Sequence, residues 1–504
     1  MVRMTMLKRH FLMAGAALAS IAVPASAETL REALAKAYQT NPTLSGARAD
    51  LRATDENVPI ARAAGLPGAS LTGSYNRDVL NAAPSPVPNQ QALGSANISL
   101  PIFSGGAVRN SVAAAKTRVE AGRAGLRGTE ANMFTNVVAA YMDVIRDEAI
   151  VQLNKQNVKV LGVNVDASND RFQVGDLTRT DVAQSQARAA LALGQLQTAQ
   201  ARLISSRENY IALVGSAPVN LEVPPPLPNL PASPDAAVEI ALQNNPNLLA
   251  AQKARDATRY DIGVARAATL PKLSVGVGGN YYNYLNSAGP AYSANSGTSG
   301  SAGVSLSLPL FQGGRPAAQV RQAQARRSQA IEAVTETERG VISQTRSAYA
   351  IWMSSQQVIA SSETAVNANK LSLEGVRAEN GVGNRTILDI LNAEQELLNA
   401  QVTLVTARRD AYVAGFALMA AMGQAEARDL GLDGGPLYDP VANYNRVHHK
   451  ISDFGSDPEP VGISTSTAQT KAQNADVGDN LDPALDTPVD TDRTNPSGGA
   501  APVR

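Results

Sequence analysis

The 504-residue sequence contains no cysteine and only three histidines, and its 44 basic residues are balanced by 44 acidic ones. Without cysteine there can be no disulfide framework, thiolate zinc site, iron–sulfur cluster or lipid-modified N-terminal cysteine. His10 lies in an N-terminal leader, and His448 and His449 stand beside a polar tail. That leaves no histidine for a clustered metal site or for a nucleophile–histidine arrangement. An even charge balance gives no net field to attract nucleic acid or a substrate of one sign. No catalytic residue, cofactor site or metal site stands out, and an enzyme is not expected. Past the leader, no segment approaches the roughly 20 consecutive apolar residues of a membrane-spanning helix. A membrane crossing would have to be made by β-strands, whose alternation leaves a much weaker hydropathy signal.

What is present begins with an export signal over residues 1–27. Arg3, Lys8 and Arg9 precede a short apolar run, and Ala25-Ser26-Ala27 offers a small-residue cleavage site. The remainder is written twice. Ala37-Tyr38-Gln39-Thr40-Asn41-Pro42-Thr43-Leu44 returns as Ala241-Leu242-Gln243-Asn244-Asn245-Pro246-Asn247-Leu248, a shift of 204 from position 41 to 245. Ser99-Leu100-Pro101-Ile102-Phe103-Ser104-Gly105-Gly106 returns as Ser307-Leu308-Pro309-Leu310-Phe311-Gln312-Gly313-Gly314, a shift of 208 from position 99 to 307. The same 208 relates Ala140-Tyr141 to Ala348-Tyr349, Val174-Gly175 to Val382-Gly383, Asp181 to Asp389 and Gly215 to Gly423. The first repeat thus covers residues 28–217 and the second 234–425, joined by a proline-rich linker, 218–233, that contains Pro224-Pro225-Pro226.

Each repeat has the same order. An opening helical stretch ends at Leu66-Pro67 or Leu270-Pro271, because proline and its predecessor disfavour continuing a helix. Alternating segments follow, a strand hairpin over 67–103 in the first repeat and 271–311 in the second, with Ala69, Leu71, Gly73 and Tyr75 interleaved by Ser70, Thr72 and Ser74. After each Gly-Gly comes a proline-free run rich in Ala, Gln, Glu, Arg and Val that predicts a helix of about 65 residues, on the order of 100 Å long. A return helix of about 38 residues follows the turn at Gly175 or Gly383. It would be completed to the same length by the next repeat's opening helix. Residues 440–504 are rich in Asp, Pro, Ser, Thr and Gly and predict a disordered tail.

Strands with Gly, Ser, Thr and Asn on one face and Leu, Val and Ile on the other suit a barrel with lipid outside and water within. Four strands cannot close, and open edges in lipid would strand backbone groups at several kcal/mol each. Two copies would give a side-chain-filled barrel of about eight strands; three give about twelve and room for a lumen. Tyr75, Phe103, Tyr281, Tyr282, Tyr284 and Phe311 fall near strand ends, where aromatic residues anchor at membrane interfaces.

The duplicated Asn-Pro, the Leu-Pro that opens a strand, the Leu-Pro-(Ile/Leu)-Phe-x-Gly-Gly that closes one and the Val-Gly-x-x-x-x-x-Asp turn together resemble the TolC family of outer-membrane efflux proteins. The resemblance runs from Glu28 to about Leu430. It implies a mixed α and β membrane protein, homotrimeric and internally duplicated, in which a long α-helical periplasmic barrel is continuous with a twelve-stranded transmembrane β-barrel. It further implies a channel of a tripartite efflux pump or type I secretion system in the Gram-negative outer membrane. The implied partners are a periplasmic adaptor and an inner-membrane RND or ABC transporter, with no nucleic acid and no cofactor. An envelope-spanning structural or adhesive barrel without export is the alternative.

The resemblance also carries residues over. Asp389 matches an entrance-ring carboxylate and Arg385 a latch arginine, whose partners would be Thr180 and Asp181. Asn392 stands where TolC has a second aspartate, and Asn380 where it has a tyrosine latch, so a less cation-attracting and differently latched entrance is expected. The turns at Val174, Gly175, Asp176 and at Val382, Gly383 are the expected adaptor contacts. Taken as isolated residues, Asp181 and Asp389 also fit simple helix-start positions favoured by the macrodipole.

Overall fold

The computed structural model describes residues 27–80, 89–228, 230–285, 294–432, 437–478, 482–483 and 485–486. The leader therefore lies outside the described residues, apart from Ala27. The first repeat holds α1 (Leu30–Thr40), α2 (Pro42–Ala63), β1 (Gly68–Arg77), β2 (Gln90–Ser104), α3 (Ala107–Gln173) and α4 (Arg179–Val214). The second holds α5 (Pro234–Asn244), α6 (Pro246–Arg266), β3 (Lys272–Tyr284), β4 (Ser296–Ser307), α7 (Arg315–Gly381) and α8 (Ile387–Ala421), and a short α9 (Ala442–Val447) follows. At 67 residues each, α3 and α7 run about 100 Å. Neither these nor any other helix among the described residues is long and apolar enough to cross a membrane.

The opening helical stretch is two helices in each repeat, where the sequence suggested one. Asn41 ends α1 in extended conformation and caps α2 by accepting from the amides of Thr43 and Leu44 at 2.9 and 3.3 Å, and Pro42 occupies the first turn. Proline is tolerated there because that N–H has no helical partner to lose. The Asn41 amide group then donates to the Leu213 carbonyl at the end of α4, 2.9 Å away. Asn245 repeats this, capping α6 and donating to the Ala421 carbonyl at the end of α8 at 2.8 Å. Each Asn-Pro is therefore a splice between two short helices placed end to end. It joins α4 to the opening helices of its own repeat, whereas chain order had suggested those of the next.

The four strands form one antiparallel sheet in the order β1-β2-β3-β4. The repeats meet at β2 and β3, with Ile98 opposite Val277 and Ala96 opposite Gly279. The register slips between Pro101 and Phe103, where proline has no N–H to give to the ladder. Directly opposed residues share a face, so Leu71, Tyr75, Ile98, Val277, Tyr281, Val304 and Leu306 lie on one side and Ser70, Thr72, Asn97, Asn280, Ser299 and Ser301 on the other. The apolar side is open in the single chain, with Leu71 83% and Val304 69% exposed.

The aromatic band expected at the strand ends divides between the two faces. Tyr75 and Tyr281 belong to the apolar face, but Tyr282 and Tyr284 fall on the polar face because side chains alternate. Their rings pack at 5.3 Å, and Tyr282 lies over Gly297, where a Cβ would meet the Tyr282 hydroxyl at 2.6 Å and its ring at 2.8 Å.

The core sits where α1, α3, α4, α8 and the linker converge, around Phe134, Val137, Tyr141, Tyr210 and Phe416. The Tyr141 hydroxyl lies 2.8 and 2.6 Å from the carbonyls of Glu28 and Glu222. Its repeat mate Tyr349 donates to the Ala232 carbonyl at 2.9 Å. One tyrosine per repeat thus fastens the irregular chain to a long helix. Burial pushes the Tyr141 hydroxyl pKa far up, so it remains a donor.

The tail departs from the expectation of disorder over its described part. α9 packs on α2, where Val447 is fully buried and Asn443 donates to Asp55 at 2.8 Å. Beyond it, Arg207 donates to the carbonyls of Asn474 and Asp476 at 2.8 and 2.9 Å. Polar composition predicts disorder when a segment has no surface of its own to bury. Here a pre-formed helical wall supplies donors and a groove.

Candidate channel entrance at the helical tips

Two helical hairpins, α3–α4 and α7–α8, project away from the sheet and end in turns of matching design. In the first, Gly175 adopts φ +90° and Asp176 donates its amide back to the Arg171 carbonyl at 2.9 Å. In the second, Gly383 adopts φ +82° and Asn384 donates to the Glu379 carbonyl at 2.9 Å. This is the left-handed closure that satisfies the last carbonyls of a helix and favours glycine. Val174 and Val382 stand outside these closures, 74% and 73% exposed, so each tip presents an unpartnered aliphatic side chain.

The return helices start on capping boxes. The Thr178 hydroxyl receives the Asp181 amide at 3.3 Å, while Asp181 Oδ2 receives the Thr178 amide at 3.0 Å and its hydroxyl at 2.7 Å. Thr386 and Asp389 repeat the motif, the carboxylate receiving the Thr386 amide at 2.9 Å and hydroxyl at 2.8 Å. Hydrogen bonds to the ionised form stabilise it. The hydroxyl and amide of Thr178 hold Asp181 below the usual carboxylate range, and the amide and hydroxyl of Thr386 do the same for Asp389. Both aspartates are half-exposed at the tips. The helix-start reading of these residues is thus part of their geometry, and it keeps them charged.

Other tip residues sit differently from the family pattern within one chain. Arg385 Nε donates to Glu379 Oε2 at 2.7 Å, across its own turn, where the resemblance implied Thr180 and Asp181. Both are on the far hairpin, and Thr180 is exposed on the first turn of α4, whereas Glu379 is six residues away and folded back by the glycine. Asn380 is buried and donates to the Arg385 carbonyl at 2.7 Å, and its side-chain oxygen accepts from Arg171 at 3.5 Å. Asn392 accepts from Arg188 Nη2 at 2.9 Å. Both asparagines therefore bridge one repeat's hairpin to the other's, α3 to α7 and α4 to α8.

Just inside the tip lies a pair that the sequence did not disclose. Arg377 and Glu394 form a salt bridge with side chains 14% and 9% exposed, and both line a small cavity together with Leu153, Asn157 and Leu397 among others. Burial pushes the Glu394 carboxyl above its usual range, with Arg377 pulling the other way. The only sequence signal is position, since Arg377 and Glu394 flank the turn at distances that a hairpin places face to face.

Set against known proteins, residues 33–216 and again 237–424 match the family model described as outer membrane efflux protein. The chain belongs to the outer membrane efflux protein family. The two matched stretches fall one on each structural repeat. The chain is 36% identical over 431 residues to the outer membrane efflux protein BepC of Brucella suis, covering 84% of this chain and 92% of that one. It is 28% identical over 427 residues to outer membrane protein TolC of Vibrio cholerae, covering 83% and 96%. Among solved structures, the outer membrane protein VceC of Vibrio cholerae superposes with a TM-score of 0.67 at 25% identity, covering 78% of this chain and 96% of that one. As a member of the efflux family this protein is an outer-membrane channel. Its sheet lies in the outer membrane and its helices extend into the periplasm.

Proposed function

We propose that three copies of the chain close a twelve-stranded barrel through their β1 and β4 edges, and that the helical tips form the periplasmic mouth of an efflux or secretion duct. The observation that carries this is the sheet itself. It has a largely apolar exposed face, suited to lipid, and two unpaired edges, and those edges are not tolerated in a bilayer unless other copies complete the barrel. A lumen lined by Ser, Thr, Asn and Gly conducts without binding, so the duct itself performs no chemistry on its cargo.

The cargo, small molecules or proteins, is delivered by an inner-membrane RND or ABC transporter through a periplasmic adaptor. The exposed Val174 and Val382, with Gly175, Asp176 and Gly383 beside them, are the apolar and backbone features that an adaptor would grip. Three Asp389 carboxylates around one axis repel each other and attract cations, and the Thr386 hydrogen bonds that hold each carboxyl below its usual range favour its charged form against that repulsion. Arg385, Asn380, Asn392, Thr180 and Asp181 form the contacts that hold the mouth narrow, those of Arg385 with Thr180 and Asp181 being made between neighbouring chains. Single-channel recording tests the assignment. Asp389→Ala should weaken block by multivalent cations, and Arg385→Ser should raise conductance. Block and conductance both equal to wild type would remove these residues from the mouth.

The assembly has its own test. The sequence offers no native thiol, so cysteines placed at Thr72 on β1 and Ser301 on β4 report only edge-to-edge pairing. Oxidation should yield a ladder on denaturing gels that ends at three chains. A protein that stays monomeric without detergent contradicts the barrel.

A further inference from the structure

The described part of the C-terminal tail forms a strap along the helical domain. It begins beside the sheet, where Tyr444 packs among Val58, Ala115 and Val119 and lies 5.1 Å from the Arg123 guanidinium. It passes Gly215 at Thr465, is held by Arg207 and Glu208 of α4 at residues 473–476, and reaches Gln152 of α3 at Gly478. From the level of Val119 to that of Gln156 on α3 is about 55 Å.

The last described residues touch both repeats at once. Leu485 is 2% exposed, in a cluster with Leu153 and Leu161 of α3 and with Leu397, Leu398 and Leu404 of α8. Its carbonyl accepts from the buried Gln401 side chain of α8 at 2.7 Å. Asp482 pairs with Arg408 of α8 at 2.7 Å, and Asp486 receives Gln156 of α3 at 2.6 Å and, on its carbonyl, Lys370 of α7 at 3.3 Å. An apolar plug flanked by an ion pair and hydrogen bonds to three helices links the hairpins, and direct polar contact nearer the mouth is confined to Arg171–Asn380 and Arg188–Asn392 among the bonds described.

We propose that Asp482, Leu485 and Asp486 form a built-in tie that fastens the α7–α8 hairpin to the α3–α4 hairpin, and that its release frees α7–α8 to move. This rests on the reading of the hairpin tips as the mouth only in what the movement accomplishes. Because Leu485 is the one tail side chain among the described residues of this cluster, which is otherwise built from the four hairpin helices, the tie can leave without unfolding either hairpin. Its polar composition, with single apolar residues spaced along it, suits a segment that binds and unbinds.

The absence of native cysteine allows a direct test in the full-length protein. Cysteines introduced at Arg188 and Asn392, whose side chains meet at 2.9 Å across the hairpins, are joined by a short bis-thiosulfonate reagent, and the rate is compared with the strap intact, with a chain ending at Gly478, and with full-length Leu485→Glu. The last puts a carboxylate into the apolar site while leaving the chain length unchanged. Crosslinking should slow several-fold in both strap variants, and the charge swap Asp482→Arg with Arg408→Asp should restore the rate lost in Asp482→Arg alone. Equal rates in all strap variants overturn the tie. Conductance is read in parallel on the variants without cysteines. A slower crosslink with higher conductance supports both readings, whereas a slower crosslink with unchanged conductance leaves the tie standing and removes the mouth.

Discussion

At the scale of single residues, the two asparagine splices and the buried ion pair make opposite uses of burial. Asn41 and Asn245 satisfy donors on one helix and an acceptor on another. Asn41→Ala should therefore cost about 2 kcal/mol, a lost cap plus an orphaned carbonyl, seen as a lower apparent melting temperature in detergent. Glu394 behaves differently because burial raises its pKa in the folded protein. Its contribution is fully present below the ordinary carboxylate range and is lost as pH rises through the folded value. Relative to Glu394→Gln, the wild type should lose stability as pH rises from about 4.5. Arg377→Ala should cost about 3 kcal/mol at neutral pH by stranding a buried charge, and less in acid, where Glu394 takes a proton. Asp181 and Asp389 have the reverse sign: held low by their capping bonds, they support the tips above the ordinary aspartate range and lose that support as pH falls through the folded values. Amide exchange at residues 178–181 and 386–389 should speed up in acid while the hairpin interiors remain protected; uniform acceleration would count against local capping.

At the scale of elements, the hairpin tips depend on glycine for conformation and not for space. A Cβ at Gly175 or Gly383 would meet nothing within 4 Å, yet both backbones are left-handed. Gly175→Ala and Gly383→Ala should each cost about 1 kcal/mol, expressed as faster exchange at the turn and not as global unfolding. Gly105 is the contrasting case: φ +64° is combined with Leu270 and Ala267 atoms at 2.8 and 2.9 Å from a Cβ, so alanine there would disturb the passage from strand to helix. Two 67-residue helices are long for a soluble core but suit a wall, because each is flanked along its length by shorter helices joined end to end. The sheet follows the same economy, since a strand pair from each repeat meets at β2–β3 and leaves one free edge from each.

At the scale of the whole molecule, a duplicated sequence yields a duplicated protomer whose two unpaired sheet edges call for further copies and whose apolar face calls for lipid. The edge-crosslinking ladder is the prediction at this level. Much of this was readable in the linear sequence, because it rests on local rules: proline and glycine mark the ends of elements, alternation gives strands with an apolar and a polar side, and proline-free Ala- and Gln-rich runs give long helices. The repeated Val-Gly-x-x-x-x-x-Asp likewise marks both tips, since closure and capping depend only on neighbours. What tertiary structure alone decided are the meetings between distant residues: which short helix continues α4, that Tyr282 and Tyr284 face the polar side, that Arg385 turns to Glu379 within its own chain, and that Arg377 and Glu394 bury one another. The tail shows the difference most clearly. Its polarity says only that it cannot build a core of its own, whereas a groove between two helical hairpins, assembled from residues more than 300 positions away in the case of Gln152 and Gln156, gives Leu485 somewhere to be buried.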